Sequence, residues 1–374
     1  MIYIPQILII CFVPWILNKY LKGSKVGNLL SPVVLAYVVG ILTSMFSLVP
    51  LSEAINKNFS EISIMIAIPL LLFSAEIKAW FKHAGPTVLS FIFAIIAAML
   101  STGFFAFIFN DKLDEVWHQS GMLTGVFTGG TANMQAVGLA LGVSEETFVI
   151  LNAAEILWGG LYLLFITSFA HKLFGTFLPD YKYDESKSNE TFASVAVNHK
   201  ARAIAVLLSL AVVGITVGLA FLFFGGLSNT TFIILVLTSL SVGASFYKPI
   251  RTLEGSFEAG DYMLLVFCVA IGMRSDFAEL INTGGNVILF TGGCFIFTVL
   301  IHLGLSRIFK IDRDTTLITS TAALYGPAFI GQIASVMKNR QIVFAGMATG
   351  LVGYAVGNYL GISLSYLLES WLSN

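Results

Sequence analysis

Thr124 to Gly142 reads T-G-V-F-T-G-G-T-A-N-M-Q-A-V-G-L-A-L-G, a glycine- and amide-rich stretch in an otherwise strongly apolar chain. Gly125, Gly129, Gly130, Gly138 and Gly142 weaken any helix here, because glycine loses the most backbone entropy on ordering. Thr128, Thr131, Asn133 and Gln135 add polar groups that lipid tails cannot satisfy. Broken backbone at membrane depth is tolerated only where protein or a water-filled cavity surrounds it. Transporters bind solutes and ions at such breaks, where peptide N–H and C=O groups are exposed. The plainer alternative is a glycine-rich helix packed tightly on its neighbours. A second broken segment in the other half of the chain favours the binding site.

The composition sets the class. Of 374 residues, 57% are hydrophobic and 11% charged, against about 25% charged in a soluble domain. The sequence therefore predicts a polytopic all-α membrane protein with the lipid bilayer as its surroundings. A net charge of −1 and the lack of a basic tract give no footing for a nucleic-acid partner. Cys11, Cys268 and Cys294 lie in apolar segments without a CxxC, so neither a disulfide framework nor a zinc site is expected. The N-terminal residues enter apolar sequence without a basic n-region or a cleavage site, and read as a first helix rather than a signal peptide.

A spanning helix needs about 20 mostly apolar residues. By that measure segments fall near 2–18, 30–50, 61–80, 85–109, the broken stretch 119–142, and 147–171. The polar run D-Y-K-Y-D-E-S-K-S-N-E makes 174–200 a linker. Six more segments follow near 202–224, 229–247, 258–275, 285–309, a second broken stretch 315–337, and 341–369. The halves, 1–173 and 201–374, look related. Leu70-Leu71-Leu72-Phe73 recurs as Leu264-Leu265-Val266-Phe267, Gly130-Thr131-Ala132 falls against Gly326-Pro327-Ala328, and Gly159 against Gly353. The near-constant offset suggests an internal duplication.

Lysine and arginine test the orientation. If all twelve segments cross, the two sides hold 12 and 8 of them. If both broken stretches are re-entrant hairpins, one side holds 17 of the 20 and the other only Lys57, Lys112 and Arg274. The rich side is then cytoplasmic, with ten crossings, both termini outside and the linker inside. Five crossings per half invert the second half relative to the first, as in an alternating-access carrier. An unwound helix that crosses, with a span gained or lost elsewhere, is the other solution.

The second broken stretch, Thr319 to Ala334, reads T-S-T-A-A-L-Y-G-P-A-F-I-G-Q-I-A. Pro327 removes a donor and disfavours helix at Gly326, while Ser320, Thr321, Tyr325 and Gln332 are candidates to touch a solute. The bland reading is a proline kink whose hydroxyls bond back to their own helix. Glu155 is the most informative acid, because carboxylates inside a membrane face a cavity, a partner or an ion path. Asn152 lies three residues before it, on the same helical face. Together with Asn133 they suit Na⁺, a hard cation that prefers oxygen, and equally a proton relay. A structural ion pair is the alternative. Asn358 could complete the second half-site or simply pack helices. Glu76, Arg274 and Asp276 read as interfacial charges, and His302 as a packing residue.

T-G-G-T-A-N-M-Q-A-V followed by a helix with a central acid, and the closing G-Y-A-V-G-N-Y-L-G, resemble the bacterial membrane proteins of the DUF819 family. That family is grouped with the cation:proton antiporter and anion transporter superfamily, which includes glutamate, 2-hydroxycarboxylate and bile-acid symporters. The resemblance implies two inverted repeats, a scaffold and a mobile core moving as an elevator, dimerisation through the scaffold, and residence in the bacterial inner membrane. It sets Gly129, Gly130, Thr131 and Asn133 on the first hairpin, Tyr325, Gly326 and Pro327 on the second, and Glu155 on the ion-site helix. Leu324-Tyr325-Gly326-Pro327 is bulkier than the small polar motif expected at the second tip.

The leading expectation is a secondary active transporter of a small polar or anionic solute, such as an amino acid, short peptide or carboxylate, driven by Na⁺ or H⁺. A cation/proton antiporter without organic substrate is the runner-up. No nucleotide motif, no HExxH, no paired intramembrane aspartates and no serine in a nucleophile motif facing His302 is apparent, so neither ATP drive, a cofactor nor an enzyme is expected.

Overall fold

Every expected segment carries helix, and the described residues contain no strand. The computed structural model describes residues 2–21, 32–75, 85–182, 198–227, 229–274, 277–339 and 341–373. The principal helices are α1 (Ile4–Ile16), α2 (Pro32–Met45), α3 (Glu53–Leu72), α4 (Gly85–Phe109), α5 (Val116–Gly129), α6 (Thr131–Leu141) and α7 (Glu145–Phe165, continued to Phe174). After the linker come α8 (His199–Phe224), α9 (Thr230–Ser245), α10 (Ser256–Gly272), α11 (Phe277–Ile308), α12 (Arg313–Tyr325), α13 (Ile330–Met337) and α14 (Val343–Leu372). Among the described residues, six stretches are long and apolar enough to cross a membrane: Glu53–Leu72, Gly85–Phe109, Glu146–Phe174, His199–Phe224, Gly284–Ile308 and Val343–Leu372.

Polar residues shift some boundaries. α3 begins at Glu53 rather than near 61, because its first turns carry Asn56, Ser60 and Ser63, which an apolar ruler rejects. They are buried, and Asn56 and Ser52 are held by Gln6 of α1, whose Nε2 donates to Asn56 Oδ1 (2.7 Å) and Ser52 O (3.0 Å). Helix starts follow side-chain caps. Ser144 Oγ accepts from Thr147 N–H at the head of α7, and Asp312 Oδ1 accepts from Thr315 N–H (2.8 Å) at the head of α12.

The helices pack as two groups. α1, α2, α3, α8, α9 and α10 gather around the α3–α10 pair. There the repeated quartets meet the core, Leu70–Phe73 and Leu264–Phe267 all being buried, and Ser256 Oγ donates to Leu70 O (2.7 Å). The other group joins α4 to α11, α7 to α11, and α5 and α12 to α14. Each half of the chain gives its first three helices to one group and the rest to the other. Along the seam between them, Thr231 Oγ1 of α9 donates to Ala140 O (2.7 Å), Asn358 Nδ2 of α14 donates to Thr238 Oγ1 (2.9 Å), and the Ser239 and Tyr359 hydroxyls lie 2.7 Å apart.

Candidate functional site

Both broken stretches fold back on themselves. Gly130 has φ +90° and ψ −172°, and Gly326 φ +66° and ψ −159°, a region open essentially to glycine alone. Past Gly130 the chain returns as α6. A methyl group on Gly121 would stand 3.3 Å from Leu141, and one on Gly125 3.2 Å from Val137. Past Gly326 the chain returns through a 3-10 turn, Gly326–Phe329, into α13. Asn339 Nδ2 then donates to Asp314 Oδ2 (2.9 Å) and closes the foot of that hairpin.

One face of α14 receives both hairpins. Gly346 packs on Ile318 and Ile330, Gly350 on Pro327, Gly353 on Thr128 and Gly129, Gly357 on Asn133, and Gly361 on Gly121. These glycines recur at three- and four-residue spacing, so they share one side of the helix. The first hairpin therefore has its foot at the C-terminal end of α14 and the second at the N-terminal end. Their tips meet midway: a methyl group on Gly130 would stand 3.0 Å from Gly326 N, and one on Gly326 3.0 Å from Gly129 O.

The hairpin carries two polar clusters on opposite sides. Gln135 Nε2 donates to Tyr37 Oη of α2 and to Asn152 Oδ1 of α7, both at 2.8 Å. Glu155 lies one turn beyond Asn152, 6% exposed, beside Gly159 and the Tyr325 ring. Among the described residues it has neither a hydrogen bond nor an ion pair. Asn133 turns the other way. Its Nδ2 donates to Tyr354 O and Asn358 Oδ1, both at 2.9 Å. Asn133 and Gln135 are two residues apart, so they project from opposite sides of α6. Asn133, expected in the shell of Glu155, instead faces α14, and Gln135 takes its place beside Asn152. Asn358, expected at the second half-site, meets the first hairpin. Asn133 Oδ1 and Gln135 Oε1 are buried without a donor, which costs about 1–3 kcal/mol each and asks for a ligand or ion.

Several candidate hydroxyls are already used. Thr128 Oγ1 donates to Thr124 O and Thr321 Oγ1 to Leu317 O, both at 2.8 Å, so each spends its proton on its own helix and keeps only acceptor capacity for a solute. Ser320 pairs with Tyr162 (2.8 Å), and Tyr325 Oη donates to Gly159 O (2.6 Å), pinning the second hairpin to α7. Thr131 stands half-buried at the start of α6. The side chain of Gln332, with Glu76 and Asp276, lies outside the described residues, and Arg274 pairs with Glu53 at 3.9 Å. His302 is buried and packed as expected, yet a serine does face it. Ser90 Oγ is 3.0 Å from its Nε2 and 2.7 Å from Thr319 Oγ1. No carboxylate orients His302 among the described residues, so the group lacks the third member of a nucleophilic triad.

A cavity of about 10 Å³, room for about one water, lies between the two helix groups. Ile68, Leu71 and Leu72 of α3 form its apolar floor, and Ala132, Asn133, Tyr354 and Asn358 the opposite wall. None of the described residues that line it is acidic or basic. At the foot of the second hairpin, Asp314 is 1% exposed and takes Arg313 Nε (3.0 Å), His171 Nε2 (3.3 Å) and Asn339. Tyr37, Thr238, Asp314 and the glycine face of α14 escaped the sequence reading. Only the last had a usable signal, in the spacing of Gly346, Gly350, Gly353, Gly357 and Gly361. The described residues hold no group of three His, Cys, Asp or Glu fit for a metal ion, and Cys11, Cys268 and Cys294 are free.

Comparison with known proteins matches the family described as "Protein of unknown function (DUF819)" to residues 7–371. The uncharacterized membrane protein YjcL of Bacillus subtilis (strain 168) is 23% identical over 368 residues, covering 93% of this chain and 92% of that protein. A UPF0324 membrane protein of Streptococcus mutans serotype c is 29% identical over 76 residues, 20% of each chain. With the six apolar helices, these similarities make the chain a multi-pass membrane protein.

Proposed function

The chain belongs to the DUF819 family, and from that premise we propose that it is a secondary active transporter of a small solute, coupled to Na⁺ or H⁺. The observation that carries this reading is the meeting of two glycine-tipped hairpins, from opposite ends of α14, beside a cavity at the seam between two helix groups. Such a seam is where alternating access needs its site. In this reading residues 1–173 and 201–374 are inverted repeats. α1–α3 and α8–α10 form a scaffold, and α4–α7 with α11–α14 slide against it as an elevator. The protein sits in the bacterial inner membrane with both termini outside, and a homodimer would form through the scaffold.

The coupling ion binds at Glu155, with Asn152 and Gln135 nearby, because an unpaired buried carboxylate and an unpartnered amide oxygen suit a hard cation. The solute enters between the two helix groups on the Asn133 side, where the water-sized cavity widens as the groups move. α6 thus touches both, so either ligand, by ordering that helix, favours the other.

The test is uptake by purified protein in proteoliposomes, over a panel of amino acids, small peptides and carboxylates, with imposed Na⁺ or H⁺ gradients. At least one solute should accumulate only under a gradient. Cation exchange against a pH gradient with no organic solute bound would hand the function to the antiporter.

A further inference from the structure

Resting on that transport reading, we infer that the ion taken at Glu155 is a single proton, and not Na⁺. Glu155 is 6% exposed, and among the described residues it has neither a hydrogen bond nor an ion pair. The titratable groups that face it are Tyr37 of α2 and Tyr325 of α12, with Cys268 of α10 beside Tyr37 and Tyr162 of α7 beside Tyr325. Neither a tyrosine nor a cysteine can carry a positive charge. An ionised Glu155 would be a buried charge without a counter-charge, and a bound proton removes that cost. The other buried acid among the described residues, Asp314, differs on this point, because Arg313 and His171 hold it.

The oxygens around Glu155 decide between the two ions. A hard metal cation is held by several oxygens at once. Here Gln135 Nε2 donates to Tyr37 Oη and to Asn152 Oδ1, both at 2.8 Å, and Tyr325 Oη donates to Gly159 O (2.6 Å). Each of those three oxygens already has a donor. In this cluster the Glu155 carboxyl group and the buried Gln135 Oε1 are left without one. An amide oxygen in that position asks for a donor. A carboxylate has none to give, whereas a carboxylic acid has an O–H. Asn152 lies three residues before Glu155, so the Gln135 amide bonded to it stands over the face of α7 that carries Glu155. One proton therefore serves both groups. It neutralises Glu155 and gives Gln135 Oε1 a donor, directly or through one water. Na⁺ would have to draw Gln135 off Tyr37 or Asn152 to gather further oxygens. The O–H bond forms at Glu155 with a proton from water on one side of the membrane. It breaks to water on the other side, and the electron pair stays on the carboxylate.

The test uses the purified full-length protein and its Glu155→Gln variant, with H⁺ and Na⁺ themselves as probes. The variant keeps the shape of the protonated acid and cannot ionise. Unfolding in detergent is measured for both across pH. Above about pH 4.3, where an unfolded glutamate ionises, the wild type should lose stability relative to the variant. The ratio of their unfolding constants should rise by up to about tenfold per pH unit, the limit for one proton. NaCl in place of choline chloride should leave that ratio unchanged, because only an ion that binds the folded state stabilises it. Infrared difference spectra between low and high pH should show a carboxylic acid C=O band that Glu155→Gln lacks. Stabilisation of the wild type alone by Na⁺, a ratio flat in pH, or identical infrared spectra would each overturn the inference. Uptake driven by a Na⁺ gradient alone would also overturn it, and would leave the transport reading standing. Uptake of no solute under either gradient, with the pH-dependent ratio intact, would remove the transport reading and leave the proton site.

Discussion

At the scale of single residues, two side chains on α6 divide the work, and their neighbours say how to test it. Glu155 has no cation beside it among the described residues, so Glu155→Gln keeps its shape and removes only charge. Ion-driven accumulation should be lost, and residual solute binding should become insensitive to Na⁺ and to pH. Wild-type ion dependence in that variant would leave Glu155 a structural acid. Gly130→Ala probes the tip. Alanine at φ +90° is strained by about 1–3 kcal/mol, and its methyl would press on Gly326 N at 3.0 Å. Transport should fall to background while the protein still folds and inserts with a lowered melting temperature. Normal uptake would mean that the tips need not touch. The residue types at this site were legible because polar groups in an apolar stretch are costly. Their partners were not. Asn133 and Gln135 sit two apart, and only the placement of α14 and α7 around α6 shows which of them faces Glu155.

At the scale of elements, the second hairpin is fastened to α7 at three levels: Tyr325 to the Gly159 carbonyl at the tip, Ser320 to Tyr162 midway, and Asp314 to His171 at the foot. Asp314 also links the two arms through Asn339. Asp314→Ala should destabilise the protein by about 3 kcal/mol, the low end for breaking a buried pair, because Arg313 and His171 remain partly exposed. Asp314→Asn should lose less. Differential scanning calorimetry in detergent would measure both, and an unchanged melting temperature in Asp314→Ala would show that the foot carries no load. The broken stretches could be read from glycine and proline content, and their return as hairpins only with the lysine and arginine count. α3 was misplaced by eight residues because its buried polar start is satisfied only by Gln6 from another helix.

At the scale of the whole molecule, the structure sorts the chain into two ends. Asn110 Nδ2 donates to Leu372 O (3.5 Å), setting the loop that holds Lys112 beside the C-terminal end of α14. Arg313 N–H donates to Pro179 O (2.9 Å), setting the start of the linker beside the foot of the second hairpin. In the proposed orientation, which rests on the lysine and arginine asymmetry, the second end is cytoplasmic. Single cysteines at Lys182 and Lys338 should therefore react with membrane-impermeant reagent only after lysis, and one at Lys112 in intact cells. Labelling at 182 from outside would reverse the orientation. The order of segments was legible from hydrophobic length. The assembly into two groups was not, because lipid-facing and group-facing sides are both apolar.

The seam has a register of its own. On α9, Thr238, Ser241 and Ser245 lie on one buried face, and each hydroxyl donates to a carbonyl of its own helix. Their oxygens still have an acceptor site to offer outward, and Thr238 fills its own with the Asn358 amide. Three and four residues along a helix is about 5 Å of travel. A shear of the two groups by one such step would carry Asn358 from one rung to the next and meet the same chemistry. Under the proposed elevator movement, α9 would therefore offer Asn358 a ladder of similar stops, and the groups would move in steps rather than slide continuously.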